Sequence, residues 1–222
     1  VRIGLFGGTF NPIHNGHLYM VKGVREEFAL DCVQLILSAL PPHKAADNLA
    51  STQHRLHMLG LAAAGETGLL ISEIELERQG PSFTIDTVEQ LNRGQAPGTE
   101  LFLILGMDAF LEIDTWKSFE ALFGQIPLIV LPRPVDANAD DPDSFMTVKQ
   151  FLTRNISDRY HGVKEAKQLQ HPYLKTVYVS DLPPIPIAAT AIRKRVNQNL
   201  AIQGLVPESV ANYIHQNGLY RW

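Results

Sequence analysis

Short apolar runs separated by amphipathic stretches recur along most of the chain. Arg2–Phe6, Val33–Leu37, Leu101–Leu105 and Ile126–Leu131 are nearly continuous in hydrophobic residues, the pattern of strands buried on both faces. Leu69–Leu76 alternates apolar and polar residues and predicts a weaker strand, and Thr176–Val179 a late one. Between them, Gly16–Phe28 places Leu18, Val21, Val24 and Phe28 near one helical face. Thr52–Ala64 does the same with Leu56, Leu59 and Ala63, and Ile85–Asn92 with Val88 and Leu91. Phe119–Phe123 also fits a helix. Strand and helix alternating at this spacing predict an α/β fold with a parallel sheet covered on both faces.

The end of the chain is helical and well punctuated. Thr190 is placed to cap a helix carrying Ile192, Val196 and Leu200. Pro207 suits the first position of a second helix, with Val210, Tyr213 and Ile214 on one face and a stop near Gly218. The stretch from Pro132 to Pro172 breaks the pattern. It is rich in Asp, Pro and Asn over Val135–Asp143 and then mixed, polar and helical, with Phe145, Val148 and Phe151 expected to pack. We expect a single domain, 1–222, with an insertion at about 135–171.

The densest candidate chemistry follows the first strand: Gly7-Gly8-Thr9-Phe10-Asn11-Pro12-Ile13-His14-Asn15-Gly16-His17. Glycines at a strand end allow a tight turn and close approach of a ligand. In an open parallel sheet, ligands bind beyond the carboxyl ends of the strands. A helix starting near Gly16 would offer N–H groups and a positive dipole end to phosphate. His14 and His17, three apart, would share one side of its first turn. Taken singly, these residues also suit a structural turn with two surface histidines. A zinc site is disfavoured because no further His or Cys stands nearby.

As a whole, Gly7–His17 resembles the signature of the HxGH nucleotidylyltransferase superfamily, here His14-Asn15-Gly16-His17. Further strings, in order, are similar to the bacterial nicotinate mononucleotide adenylyltransferases. They are Pro41-Pro42-His43-Lys44, Ser82-Phe83-Thr84-Ile85-Asp86-Thr87, Gly106-Met107-Asp108-Ala109-Phe110 with Trp116 beyond it, and Ile187-Ala188-Ala189-Thr190-Ala191-Ile192-Arg193. The ending, from Leu205-Val206-Pro207-Glu208 to Gly218-Leu219-Tyr220-Arg221, is similar too. The phosphopantetheine adenylyltransferases are shorter and lack the first two of these strings, Pro-Pro-His-Lys and Ser-x-Thr-x-Asp-Thr.

The resemblance implies a Rossmann-like sheet with C-terminal helices and transfer of an adenylyl group from ATP to nicotinate mononucleotide, giving deamido-NAD and pyrophosphate. Nicotinamide mononucleotide as acceptor, or both acceptors, remains open, as does a non-catalytic nucleotide sensor. His14 and His17 are the implied catalytic pair. Gly7, Gly8, Thr9, Phe10, Gly106, Asp108, Thr190 and Arg193 would join them in binding ATP. His43 and Lys44 would meet the acceptor phosphate, and Thr84, Trp116 and Lys117 the nicotinate ring. Mg²⁺ would be carried mainly by ATP, with no protein metal ligand named.

Each group also has a plainer reading. Ser82 and Thr84 suit ordinary helix capping, Asp108 an N-cap, Trp116 simple burial, and Lys194 and Arg195 a solvated basic face. Ala188 and Ala189 stand where relatives more often carry serine, and Asn11 where Asp is common.

The remaining features narrow the setting. Hydrophobic residues make up 45% of the 222 and charged residues 19%, an ordinary globular mixture. The net charge of −4 argues against a nucleic-acid partner, so anionic substrates must be met by local positive groups, expected to be His14, His17, Lys44, Arg193 and helix N-termini converging on one cleft. Cys32 is the only cysteine, expected in the core, which excludes a disulfide framework. No apolar run reaches the ~18 residues of a membrane span and no signal-peptide pattern opens the chain, so we expect a cytoplasmic setting. The oligomeric state has no signature.

Overall fold

A computed structural model describes residues 1–39, 49–132 and 143–221. Eight strands form one sheet: β1 (Arg2–Gly8), β2 (Cys32–Leu37), β3 (Leu69–Ser72), β4 (Glu100–Gly106), β5 (Leu128–Leu131), β6 (His161–Val163), β7 (Gln168–Gln170) and β8 (Val177–Val179). Their order is β3-β2-β1-β4-β5-β8-β7-β6. The first five and β8 pair in parallel; β7 runs antiparallel to β8 and β6 to β7.

The helices are α1 (Asn15–Glu27), α2 (Thr52–Ala63), α3 (Thr84–Gly94), α4 (Met107–Phe110), α5 (Phe119–Gln125), α6 (Ser144–Phe151), α7 (Ala189–Asn197) and α8 (Glu208–Gln216). Side chains alternate across the strands, and the two faces therefore build two cores. Val33, Leu35, Leu37, Phe102, Ile104 and Ile129 pack with α1, α2, α7 and α8. Ile36, Leu101, Leu103, Leu105, Leu128 and Val130 pack with α3 to α6. This is why the strand sequences read as continuous apolar runs rather than alternating ones.

Several expectations are corrected. The third strand stops at Ser72, because the chain turns there and Leu76 N donates to Glu73 O at 2.7 Å. Ile126 ends α5 rather than opening β5. The wholly parallel sheet and the helical insertion give way to a helix plus a hairpin. In α6, Phe145 and Val148 are buried, but β6 and β7 then extend the sheet antiparallel. Those strands have three residues each, and only Leu169 among them is buried, so no apolar period announces them. Cys32 is half-buried at the start of β2. Leu200 lies past the end of α7 and is exposed. Pro207 precedes α8 as its N-cap. Among the described residues no helix is long and apolar enough to cross a membrane.

Candidate active site

The sheet order places β1 beside β4, while β2 and β3 lie on β1's other side. That is the switch point beyond which open α/β sheets bind ligands. Gly8, the last residue of β1, pairs with Leu37, and Gly106, the last of β4, pairs with Leu131. Gly7 is exposed, with open space on the side where a Cβ would stand. Phe10 is buried in the turn that follows, in a left-handed conformation (φ 46°), and Thr9 beside it is half-buried.

His14 and His17 form a reciprocal cap at the start of α1. His17 N donates to His14 Nδ1 and His14 N donates to His17 Nδ1, both at 3.3 Å. Each Nδ1 is thereby an acceptor, so in the neutral ring the proton sits on Nε2. The rings stack with centroids 3.6 Å apart and planes 18° from parallel. Burial lowers the His14 pKa to about 4. His17 is held well below the ordinary imidazole range by burial and then by His14.

Two expectations change here. The histidines are neutral donors, not positive groups. The backbone N–H groups of the helix end are also partly committed inside the protein. Asn15 N donates to Leu205 O at 2.9 Å, and His17 N to its partner ring.

The pair lines a cavity of about 270 Å³ with Phe6, Gly16, Met20, Gly106, Leu131, Pro132, Pro184, Ile185 and Ile187. Apart from the imidazoles the lining is mainly apolar, suited to a flat heterocycle with few polar anchors. The proline-rich segment from Leu182 to Ile187 closes one side by lying along α1. A Cβ at Gly23 would stand 2.6 Å from Leu182 Cδ2, and one at Gly16 would stand 3.1 Å from His14 Nδ1 and 3.4 Å from Ile187 Cβ. Those glycines are seven apart, two helical turns along one face. Glu27 at the far end of α1 fixes the other end of the segment. It accepts from Ser180 Oγ at 2.5 Å and Asp181 N at 2.9 Å.

Phe6, Met20, Leu131, Pro132, Pro184 and Ile185 were not anticipated from sequence as lining residues, and Ile187 only as the start of a motif string. The signal was present in Leu182-Pro183-Pro184-Ile185-Pro186-Ile187, an apolar run whose three prolines bar it from helix or central strand.

Behind the turn lies a polar frame, buried at Asn11 and Tyr220 and half-buried at Arg193. Arg193 Nη1 donates to Asn11 O at 2.8 Å, and its Nη2 donates to Thr190 Oγ1 at 3.4 Å. Asn11 Oδ1 accepts from Ala50 N at 3.1 Å and from Tyr220 Oη at 2.8 Å. Asn11 thus ties the turn to the start of α2 and to the chain end at Tyr220. Burial raises the Tyr220 pKa, keeping its hydroxyl a donor. Thr190 does not cap α7: Ala188 occupies that position, with no side-chain cap bond, and Thr190 stands exposed in the first turn.

The residues expected to read the acceptor ring come together around α3 and the turn after α4. Lys117 Nζ reaches both Asp86 carboxylate oxygens at 3.1 Å and sits 4.7 Å from the centre of the Phe83 ring. This joins the Trp116 turn to the start of α3. Trp116 is half-buried against the core beneath α5. Thr84 is the first residue of α3, whose cap, Phe83, makes no side-chain cap bond. Ser82 instead accepts from Arg78, and Arg78 also donates to Thr87 Oγ1 at 3.2 Å. Thr87 in turn donates to Glu75 at 3.0 Å, and burial raises the Glu75 pKa. Asp108 is exposed in the first turn of α4, after the capping Gly106. His43 and Lys44 lie outside the described residues. Among the described residues no three His, Cys, Asp or Glu side chains cluster as a metal site.

An open, mostly parallel sheet that delivers two neutral imidazoles into an apolar cavity at its switch point defines a nucleotide-binding α/β protein. Residues 5–195 match the cytidylyltransferase-like family. The chain belongs to that family and, within it, to the nicotinate-nucleotide adenylyltransferases. It is 44% identical over 223 residues to the "Probable nicotinate-nucleotide adenylyltransferase" of Desulfatibacillum aliphaticivorans, covering 99% of this chain and 100% of that protein. It is 37% identical to the protein so named in Pseudomonas aeruginosa PAO1, covering 99% and 97%. A Plasmodium falciparum nicotinic acid mononucleotide adenylyltransferase solved with NaAD shares the fold, with a TM-score of 0.71 at 16% identity over 99% of this chain and 97% of that one.

Proposed function

We propose that this protein transfers the adenylyl group of ATP to nicotinate mononucleotide, forming deamido-NAD and pyrophosphate in NAD biosynthesis. The carrying observation is the reciprocally capped, neutral His14–His17 pair in the cavity at the β1–β4 switch point. An acceptor phosphate oxygen attacks the α-phosphorus of ATP. The new O–P bond forms as the bond to the bridging oxygen breaks, and that oxygen leaves with pyrophosphate. The acceptor is already largely ionised at neutral pH, its second pKa being about 6, so no strong base is required. The protein's contribution is alignment and stabilisation of developing charge.

The two Nε2–H groups donate to α-phosphate oxygens, with His17 the principal donor. The backbone of Gly7, Gly8 and Thr9 lines the phosphates, with Phe10 beneath. The apolar cavity takes the adenine, and Asp108 beside Gly106 takes ribose hydroxyls. Arg193, oriented by Asn11 O, and Thr190 face the leaving pyrophosphate. Trp116 stacks on the pyridine ring, while backbone N–H groups at Thr84 and Lys117 receive its carboxylate. His43 and Lys44 are assigned to the acceptor phosphate by resemblance.

Mg²⁺ fits here as an ion carried on triphosphate oxygens and water, because the described lining is apolar apart from two neutral imidazoles and includes no carboxylate. It would neutralise phosphate charge.

The decisive experiment supplies ATP and Mg²⁺ with either nicotinate or nicotinamide mononucleotide and measures pyrophosphate release and dinucleotide formation. Higher kcat/KM with the nicotinate form is expected. Preference for the amide would reassign the acceptor. ATP binding with no pyrophosphate from either would make the protein a nucleotide sensor.

A further inference from the structure

Arg55 stands in α2, a helix that supplies nothing to the cavity, yet it is 0% exposed. A guanidinium has five N–H donors, and here each has a partner. Nε donates to Ala50 O at 3.2 Å, and Nη1 to Thr9 O at 3.0 Å and Ser38 O at 2.7 Å. Nη2 donates to Ala39 O at 3.0 Å and Thr52 Oγ1 at 3.1 Å. All five acceptors are neutral oxygens. Burying a charge among them is costly unless each donor is met, so this geometry is strongly specified.

Three of the acceptors flank residues 40–48: Ser38 and Ala39 where the chain leaves β2, and Ala50 where it returns to α2. A fourth, Thr9, belongs to the turn after β1. The same two segments are tied again on either side, since Ser38 N donates to Gly8 O at 3.0 Å and Ala50 N to Asn11 Oδ1 at 3.1 Å.

We propose that Arg55 is a positioning residue: one buried guanidinium clamps Ser38, Ala39 and Ala50, the described residues on either side of residues 40–48, to the turn proposed to bind phosphate. The link to catalysis rests on the adenylyl-transfer reading, because the resemblance puts the acceptor-phosphate donors at His43 and Lys44. The clamp itself does not. Lysine carries three donors at a single point and cannot span five acceptors, so Arg55→Lys breaks the device while keeping the charge.

Two measurements test this, each against Leu59→Ala, which opens a cavity in the same helix at a side chain that is also fully buried. The first is amide hydrogen exchange of the ligand-free proteins. Arg55→Lys accelerates exchange at Ser38 and Ala50 at least tenfold, while Leu59→Ala leaves those two amides within threefold of wild type. The second is steady-state kinetics at a temperature where all are folded. Arg55→Lys raises KM for nicotinate mononucleotide at least tenfold, with KM for ATP moving less than threefold. Leu59→Ala lowers Tm without this split. If Arg55→Lys does not fold, Thr52→Val removes one acceptor and shows the same pattern at two- to fivefold. Exchange and KM ratios in the Arg55 or Thr52 variant that match those of Leu59→Ala overturn the proposal. An inactive wild type would refute the adenylyl-transfer reading, and the exchange comparison would still decide the clamp.

Discussion

Replacing His14 with asparagine should flatten the acid side of the stability profile. Asparagine is a good N-cap, and its side-chain oxygen can take over the bond from His17 N, so the helix start is preserved. What it removes is a buried imidazole whose pKa burial lowers from 6.5 to about 4. The native ring resists protonation, and the unfolded ring does not. Between those two values the unfolded state binds more protons, so stability is lost as pH falls from 6.5 towards 4 and is fully present above 6.5. The gap corresponds to about 3 kcal/mol. Urea unfolding followed by far-UV circular dichroism, at half-unit steps from pH 7.5 to 4, gives ΔG for both proteins. Titrations elsewhere in the chain largely cancel in the difference, except that of His17, whose depression owes part to His14 and eases when His14 is replaced, which adds to the difference in the same direction. The wild type should lose about 3 kcal/mol more than His14→Asn over that window, whatever their offset at pH 7.5. Parallel profiles would show that His14 is not held neutral by burial, and the assignment of its Nε2 as a neutral donor would fall with it.

The other predictions concern turnover. His17→Ala should lower kcat by ~10²–10³ with the far-UV spectrum unchanged; wild-type turnover would remove the histidine from the chemistry. Gly16→Ala should leave Tm nearly unchanged, because the gain in helix propensity of about 1 kcal/mol offsets the crowding. It should nevertheless reduce kcat at least tenfold, since the new Cβ would stand 3.1 Å from His14 Nδ1. Equal activity would mean the ring's position is not critical. Trp116→Ala should raise KM for nicotinate mononucleotide with a smaller change for ATP, and an unchanged KM would reduce Trp116 to packing.

The strands that build the site were legible because each is buried on both faces and therefore continuously apolar. The paired histidines were legible as a motif, but their chemistry was not. Spacing puts His14 and His17 on one turn; only the observed capping bonds fix which nitrogen is protonated and why the rings stay neutral. Thr190 looked like a cap because hydroxyls usually cap, whereas Ala188 holds that position through its extended backbone alone (φ −120°, ψ 135°). The β6–β7 hairpin escaped notice because strands with a single buried residue carry no period. Arg55 was invisible for the opposite reason. An arginine in an amphipathic helix reads as a solvent-facing position, and nothing in local sequence shows that five oxygens converge on it from three other segments and its own helix.

A chain of net charge −4 has to hold two anionic substrates. The sequence suggests a cluster of formal cations in one cleft. The structure places neutral imidazoles there, and two guanidiniums, Arg55 and Arg193, bonded to backbone carbonyls behind the turn. A cationic pair stacked at 3.6 Å would repel itself and would need desolvation. Neutral rings avoid both costs and still present fixed N–H dipoles. Such donors need not reorganise as charge moves during the reaction, and they are worth most where the cavity lining excludes water. On the proposed roles, specificity for the developing α-phosphate charge comes from where the dipoles point. That direction is set by the reciprocal cap, by Gly16 beneath the rings, and by the polar frame that holds the turn.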